Sequence, residues 1–299
     1  MKRPSLIVTG AGGFVAGSVI REALLDWNVH AVSRGSAIAE DPHLHWHSMD
    51  IEDQSELKKL FETSQPTAII HTAAMAGIDE CEAQKDLAYQ VNVAYTQRLA
   101  ELAQKYSARF VFVSTDNVFD GETGPYSEDS KTAPVNYYGE TKVLAEGVSL
   151  RTCANAVAAR VCLVMGFPII GGGNSFLMRM LPALESGEPL GVPDNEIRSP
   201  IDVVTLGRAL LELAGHSQTG VLHLSGNERI NRLDLVQRIA SKLGFPDAKI
   251  QPFNPENLPG RADRPEELVL KNTLARHVLK TPMQDVDGAL DIMLLDRPT

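Results

Sequence analysis

Cysteine, clustered basic residues and long unbroken apolar runs are all scarce in this chain of 299 residues, and each shortage argues against a class of protein. The three cysteines, Cys81, Cys153 and Cys162, are an odd number without metal-type spacing. A disulfide framework and a zinc knuckle are therefore not expected, and a reducing, cytoplasmic setting fits best. The net charge is -10 with no basic run, which argues against a nucleic-acid surface because neutralising phosphates needs clustered Lys and Arg. The longest apolar stretch, from Ala156 to Gly173, is broken by Arg160 and Pro168 and ends in glycines, so it is too interrupted to span a bilayer. Met1-Lys2-Arg3 before Leu6-Ile7-Val8 has the outline of a leader, but Gly10, Gly12 and Gly13 stop the apolar run at once. No repeat or low-complexity tract is present. At 43% hydrophobic, the chain can bury a substantial core as one large or two fused domains.

Ser5-Leu6-Ile7-Val8-Thr9 is a short continuous apolar run, the pattern of a strand buried on both faces of a parallel sheet. The glycine turn Gly10-Ala11-Gly12-Gly13 then leads through Phe14 and Val15 into Val19, Ile20, Ala23, Leu24 and Leu25 at helical spacing. Strand, glycine turn and helix together predict a phosphate loop. Missing side chains let a pyrophosphate approach the backbone, and the helix N-terminus offers free N–H groups at the positive end of its dipole. The next strand, Val29 to Ser33, ends at Arg34, where an NAD-preferring site usually places an acidic residue. Arg34 suits a 2′-phosphate instead, so NADP(H) is the expected cofactor and NAD(H) the second choice. His43, His45 and His47 alternate along a third strand, without a clear fourth ligand for a metal. Asp50-Ile51 closes that strand and is placed to flank an adenine.

Asp53 to Ser64 reads as a helix and Thr67 to His71 as a fourth strand, followed by Ala73 and Ala74, whose small side chains let the backbone lie near a cofactor. A long helix is expected from Asp86 to Tyr106 through Leu87, Val91, Leu99 and Leu102. Asn92 interrupts its apolar face, either as an ordinary polar position or as a buried amide organising water and a lysine. Arg109 to Val113 is a fifth strand that delivers Ser114-Thr115-Asp116 at its C-terminal end, where open parallel sheets bind ligands. Beyond an irregular loop, Tyr138 and Lys142 stand four residues apart in a helix and so share one face. An ammonium ion beside a phenol eases its ionisation, and such a pair can exchange a proton with a substrate oxygen. A sixth strand is expected from Ala156 to Val164, then a helix from Ser175 to Leu184, a polar corner at Arg198-Ser199-Pro200-Ile201-Asp202, a helix from Val203 to Ala214 and a strand from Val221 to Leu224. Asn231 reads as the N-cap of a helix from Arg232 to Leu243, and a proline-punctuated segment then carries Arg261 and Arg264. The fold expected is α/β, a doubly wound parallel sheet (Rossmann) over residues 1–165, with a smaller C-terminal α/β substrate-binding lobe over 166–299, some segments of which return to the first core.

Thr9-Gly10-Ala11-Gly12-Gly13-Phe14, Asn92-Val93 and Tyr138 to Lys142 resemble the cofactor loop, helix motif and YxxxK pair of the extended short-chain dehydrogenase/reductase family, and the resemblance covers nearly the whole chain. Ala16 stands where that loop usually has its third glycine, with Gly17 next. Within the family, Ser114 to Gly121 and Ile78 to Glu82 look like the dTDP-4-dehydrorhamnose reductase group, which usually has Tyr in place of Asn117 and aromatic residues in place of Leu163 and Met165. Asp116-Asn117 lacks the glutamate carried by the nucleotide-sugar dehydratases. The resemblance implies a reductase of a nucleotide-sugar ketone. Tyr138 would give its proton to the developing alkoxide, Lys142 would hold the nicotinamide ribose and lower the tyrosine pKa, Thr115 would orient the carbonyl and Asn92 would support the proton relay. It further implies a cofactor lying along Gly10, Gly12, Gly13, Phe14 and Val15, reaching Arg34, Asp50 and Ile51 at one end and Ala73, Ala74, Tyr138 and Lys142 at the other. Asp116 and Asn117 would meet the sugar, and Arg198, with Arg261 or Arg264 as second choice, would grip its pyrophosphate. Two alternatives stay open: a nucleotide-sugar epimerase of the same family, and a non-catalytic NADP-binding regulatory subunit, since the chain also resembles the beta subunit of methionine adenosyltransferase. Neither nucleic acid nor membrane is an expected partner, and a homodimer is left open.

Overall fold

The structure is a computed structural model that describes residues 3–50, 52–171, 175–254, 260–295 and 297. In its first half, β1 (Ser5–Thr9), β2 (Asn28–Ser33), β3 (Leu44–Ser48), β4 (Ala68–His71), β5 (Arg109–Thr115) and β6 (Ala156–Val161) are interleaved with α1 (Phe14–Ala23), α2 (Gln54–Ser64), α3 (Ile78–Ala83), α4 (Lys85–Tyr89), α5 (Tyr95–Lys105) and α6 (Tyr137–Thr152). The second half begins with β7 (Val164–Met165), α7 (Phe176–Ser186), β8 (Leu190–Val192), β9 (Ile197–Arg198), β10 (Ile201–Asp202), α8 (Val203–Ala214) and β11 (Gly220–Leu224). It ends with β12 (Ile230–Asn231), α9 (Arg232–Lys242), β13 (Ile250–Pro252), β14 (Glu267–Leu268), α10 (Thr273–Val278) and α11 (Val286–Leu295).

Seven of these strands form one sheet in the order β11-β6-β5-β4-β1-β2-β3, and every pairing in it is parallel. Every residue of β4 and β5 is buried, as two-sided cover by helices requires. On one face, Val19 and Ile20 of α1 pack with Leu206 and Leu210 of α8 over Val8 and Val111. On the other, Leu57 and Phe61 of α2, Leu99 of α5 and Ala145 of α6 pack over Ile7, Ile69 and Phe110. This is the doubly wound arrangement, and its strand order reverses between β1 and β4, where such sheets hold ligands at their C-terminal edge. A further core of Met165, Phe167, Leu177, Val236, Ile239 and Leu290 builds the C-terminal lobe. Among the described residues, no helix is long and apolar enough to cross a membrane.

Two elements differ from the sequence reading. The helix expected from Asp86 to Tyr106 is divided by a π turn over Gln90–Ala94. Its extra residue shifts the phase of the helix, so Leu87 and Tyr89 emerge 46% and 43% exposed while Asn92 turns inward. The sixth strand stops at Val161, because Val164–Met165 leaves the sheet to pair with Ile201–Asp202. On the edge strand, the rings of His45 and His47 stack on His30, and His30 Nδ1 and His47 Nε2 share a 3.0 Å hydrogen bond.

Candidate active site

The catalytic candidates meet where β5 ends and α6 begins. Asn136 caps α6, its side chain accepting the Gly139 N–H at 2.9 Å. A methyl group at Gly139 would stand 2.2 Å from the Asn117 carbonyl oxygen, so glycine lets the first turn of α6 press against the 3₁₀ turn Asp116–Val118 that follows β5. That close approach sets Tyr138 beside Thr115. Thr115 is nearly buried; its hydroxyl accepts the Asn117 N–H at 3.2 Å and donates to Asp116 Oδ1 at 3.1 Å.

One turn along α6, Lys142 is 3% exposed, its Nζ donating to the Val113 carbonyl at 2.6 Å and lying 4.2 Å from the centre of the Phe112 ring. Burial pulls its pKa from 10.5 down to about 7, against the opposing pull of Glu146. Burial also pushes the Tyr138 phenol above its ordinary value, with the interaction with Thr115 working the other way. Both members of the pair are thus driven toward their neutral forms.

Asn92, 1% exposed, acts as a clamp. Its Oδ1 accepts the Met75 N–H at 2.8 Å, while its Nδ2 donates to the Met75 carbonyl at 3.1 Å and to Thr141 Oγ1 at 2.9 Å. The segment after β4 is thereby tied to the helix that carries Tyr138 and Lys142. Under this floor lies His71, fully buried, hydrogen-bonded to Thr9 at 2.6 Å through Nδ1 and to Thr96 at 2.8 Å through Nε2. Burial first, and then the nearby Lys142, hold it at about 3, hence neutral. Sequence reasoning marked His71 only as the end of a strand; a histidine inside an otherwise apolar run was the available signal.

The glycine loop occupies the same edge of the sheet. Helix α1 starts at Phe14 behind Gly13, with no side-chain cap and no acidic residue in its first turn, so its leading N–H groups and dipole are free to meet a phosphate. Gly12 is exposed, and Phe14 and Val15 are half-buried. Gly10 packs against the backbone of Ala73, where a Cβ would come within 2.7 Å of the Ala73 nitrogen, and Ala74 follows, partly exposed. Arg34 and Asp50 are exposed just beyond β2 and β3, with Ser48 Oγ donating to the Arg34 carbonyl at 3.2 Å; Ile51 lies outside the described residues. These residues fit a dinucleotide laid across the switch point, its diphosphate at α1 and its two ends toward Arg34 and Tyr138.

The candidates for substrate contact divide into two groups. Asp116 and Asn117 adjoin Thr115, and burial raises the Asp116 carboxyl while Arg198 opposes it. Arg198 is itself 7% exposed, donating to the carbonyls of Ile197 at 2.8 Å, Glu266 at 2.7 Å and Pro265 at 3.0 Å, with Glu196 3.5 Å away. It stands behind the site as a strut. Arg264 clasps Asp79 through both terminal nitrogens at 2.7 and 2.8 Å, and the Ala262 N–H joins them at 2.8 Å. Asn136 Nδ2 donates to the Asp263 carbonyl at 3.0 Å, so this strap from the C-terminal lobe lies against both α3 and the start of α6.

A dinucleotide loop on α1, a Tyr–Lys pair on α6 and a threonine at the end of β5 define an extended short-chain dehydrogenase/reductase. Residues 4–297 match the RmlD substrate binding domain, and the chain belongs to that family. It is 28% identical over 289 residues to the dTDP-4-keto-6-deoxy-D-glucose reductase of Streptomyces niveus, covering 95% of this chain and 94% of that one. It is 30% identical over 271 residues to methionine adenosyltransferase 2 subunit beta of Pongo abelii, covering 89% and 79%. In fold it is similar to the dTDP-4-dehydrorhamnose reductase of Bacillus anthracis solved in complex with NADP, with a TM-score of 0.85 at 23% identity, covering 99% of this chain and all of that one.

Proposed function

We propose that the protein reduces the 4-keto group of a nucleotide-linked deoxysugar with NADPH. The observation that carries this reading is the meeting of Thr115, Tyr138 and Lys142 at the sheet's C-terminal edge, beside an uncapped helix start suited to a diphosphate. When bound, the nicotinamide supplies the hydride. Tyr138 delivers the proton to the oxygen that becomes the alcohol, and Thr115 holds that oxygen in line. Lys142 holds the nicotinamide ribose and offers positive charge to the phenolate left behind. Proton delivery of this kind contributes on the order of a hundred- to ten-thousand-fold in rate. Arg34, in the place where NAD enzymes put an acid, favours NADP(H) over NAD(H). Asp116 and Asn117 meet the sugar, Arg264 at the strap meets its pyrophosphate, and Arg198 acts from behind through Asp116.

A relative of similar identity is named as a subunit of methionine adenosyltransferase, which supports a second reading as an NADP-binding partner protein. Loss of NADPH absorbance with a dTDP-4-keto-6-deoxy sugar separates the two. The reductase reading expects turnover in the wild type that falls on the order of a hundred-fold or more in Tyr138→Phe, with NADPH affinity retained. NADPH binding without oxidation would refute it in favour of the partner role, while tightly copurified cofactor that is recycled without net oxidation would favour an epimerase.

A further inference from the structure

Glu146 sits one turn beyond Lys142 on the same face of α6 and is 5% exposed. Both side chains reach β5, at neighbouring residues. Lys142 Nζ donates to the Val113 carbonyl at 2.6 Å, and the hydroxyl of the next residue, Ser114, donates to Glu146 Oε1 at 2.6 Å. On its far side Glu146 receives Arg160 of β6, from Nε to Oε1 at 2.9 Å and from Nη2 to Oε2 at 2.8 Å, and Arg160 is only 4% exposed. The other titratable groups facing Lys142 are Tyr138 on its own helix, Cys81 of α3 and His71 of β4. All three are neutral near pH 7: burial raises the phenol and the thiol and keeps His71 unprotonated. Among the described residues, Glu146 is therefore the negative charge that acts on Lys142.

We propose that Glu146 is a positioning residue, the counter-ion that keeps the Lys142 ammonium charged in its dry site, and that Arg160 fixes its carboxylate there while tempering its pull. Its consequence for turnover rests on the reductase reading; its effect on Lys142 does not. Burial already brings Lys142 to about 7 with Glu146 in place, so removing that carboxylate leaves the amine mostly unprotonated at neutral pH and weakens the charge offered to the Tyr138 phenolate.

The test is an NMR titration of the full-length protein with isotope-labelled lysine, the Lys142 signal being identified by its loss in Lys142→Met. In Glu146→Gln the Lys142 titration is expected about one pH unit lower than in the wild type. Glu146→Gln leaves Arg160 buried without its ion-pair partner, so the pair Glu146→Leu/Arg160→Met, which removes both charges, provides a second variant if the first does not fold; there the Lys142 titration is expected below the wild-type value by less than in Glu146→Gln, because the tempering charge of Arg160 goes as well. In turnover, the alkaline limb of the pH profile moves down by the same amount. Lys142 titrating at its wild-type pH in the folded variants overturns the proposal. A lowered titration in protein that shows no turnover supports the role of Glu146 and counts against the reductase reading.

Discussion

Replacing Asn92 by alanine tests the clamp beneath the site. The substitution deletes three hydrogen bonds, but their loss is unequal. The Met75 carbonyl still receives the Cys81 thiol at 3.2 Å, and the Thr141 hydroxyl still donates to the Tyr138 carbonyl at 2.7 Å. The Met75 N–H, donated to Asn92, loses its partner at a position only 8% exposed. Stranding one buried donor costs about 1–3 kcal/mol, and each of the two lesser bonds adds about 0.5–1.5 kcal/mol. Asn92→Ala should therefore lower stability by about 3 kcal/mol. Urea unfolding followed by the fluorescence of Trp27 and Trp46 measures this as a fall in midpoint at unchanged slope. Gln97→Ala, one turn away and removing an exposed 3.0 Å bond to Glu101, is the control and should stay within about 0.5 kcal/mol of wild type. A loss below about 1 kcal/mol in Asn92→Ala would refute the clamp, because it would mean that Met75 finds another acceptor without strain.

Stability should also fall as the solution is acidified from pH 6.5. His71 and His223 are fully buried, and burial lowers both to about 3 from an ordinary 6.5. Between those values the unfolded chain binds protons that the folded chain refuses, so each histidine removes up to about 1.4 kcal/mol per pH unit. Asp116 and Asp202, whose carboxyls burial raises, act with the opposite sign nearer the acid end of that window. Urea midpoints that stay flat between neutrality and pH 5.5 would contradict this. At the dinucleotide loop, a Cβ on Gly17 would fall 2.6 Å from the Ile170 carbonyl oxygen, so Gly17→Val should cost about 1–3 kcal/mol and weaken NADPH binding measured by fluorescence titration. Wild-type affinity in that variant would show that α1 can shift away from the 170 loop freely.

The sheet is legible in the sequence because a central parallel strand must be apolar on both faces, and Leu6-Ile7-Val8 and Phe110-Val111-Phe112 have no other economical reading. The glycine turn and the Tyr138–Lys142 spacing are equally local, so their positions at the edge of that sheet follow from short segments alone. The π turn is different. One added residue rotates everything before it relative to everything after it, and Leu87, which fits an unbroken apolar stripe, points to solvent once the turn is counted. Arg198 is illegible for another reason: what takes up its donors is the backbone of Pro265 and Glu266, more than sixty residues further on. A buried strut and a surface anion-binder are the same letter in the sequence. Glu146, too, reads as an ordinary helix glutamate until β6 brings Arg160 against it.

The placing of β11 has a consequence for how the protein is made. That strand completes the sheet beside β6, and the α8 preceding it covers the apolar stripe of α1. A nascent chain that has released everything through Val161 from the ribosome thus shows a bare strand edge and an uncovered helix face; the helix face stays open until Ala214 has emerged and the strand edge until Leu224 has. Throughout that interval β6 can pair with any passing strand. Slow translation or a pause between these two strands should therefore reduce the yield of folded protein more than a pause placed after α9, when β6 is already paired and α1 already covered.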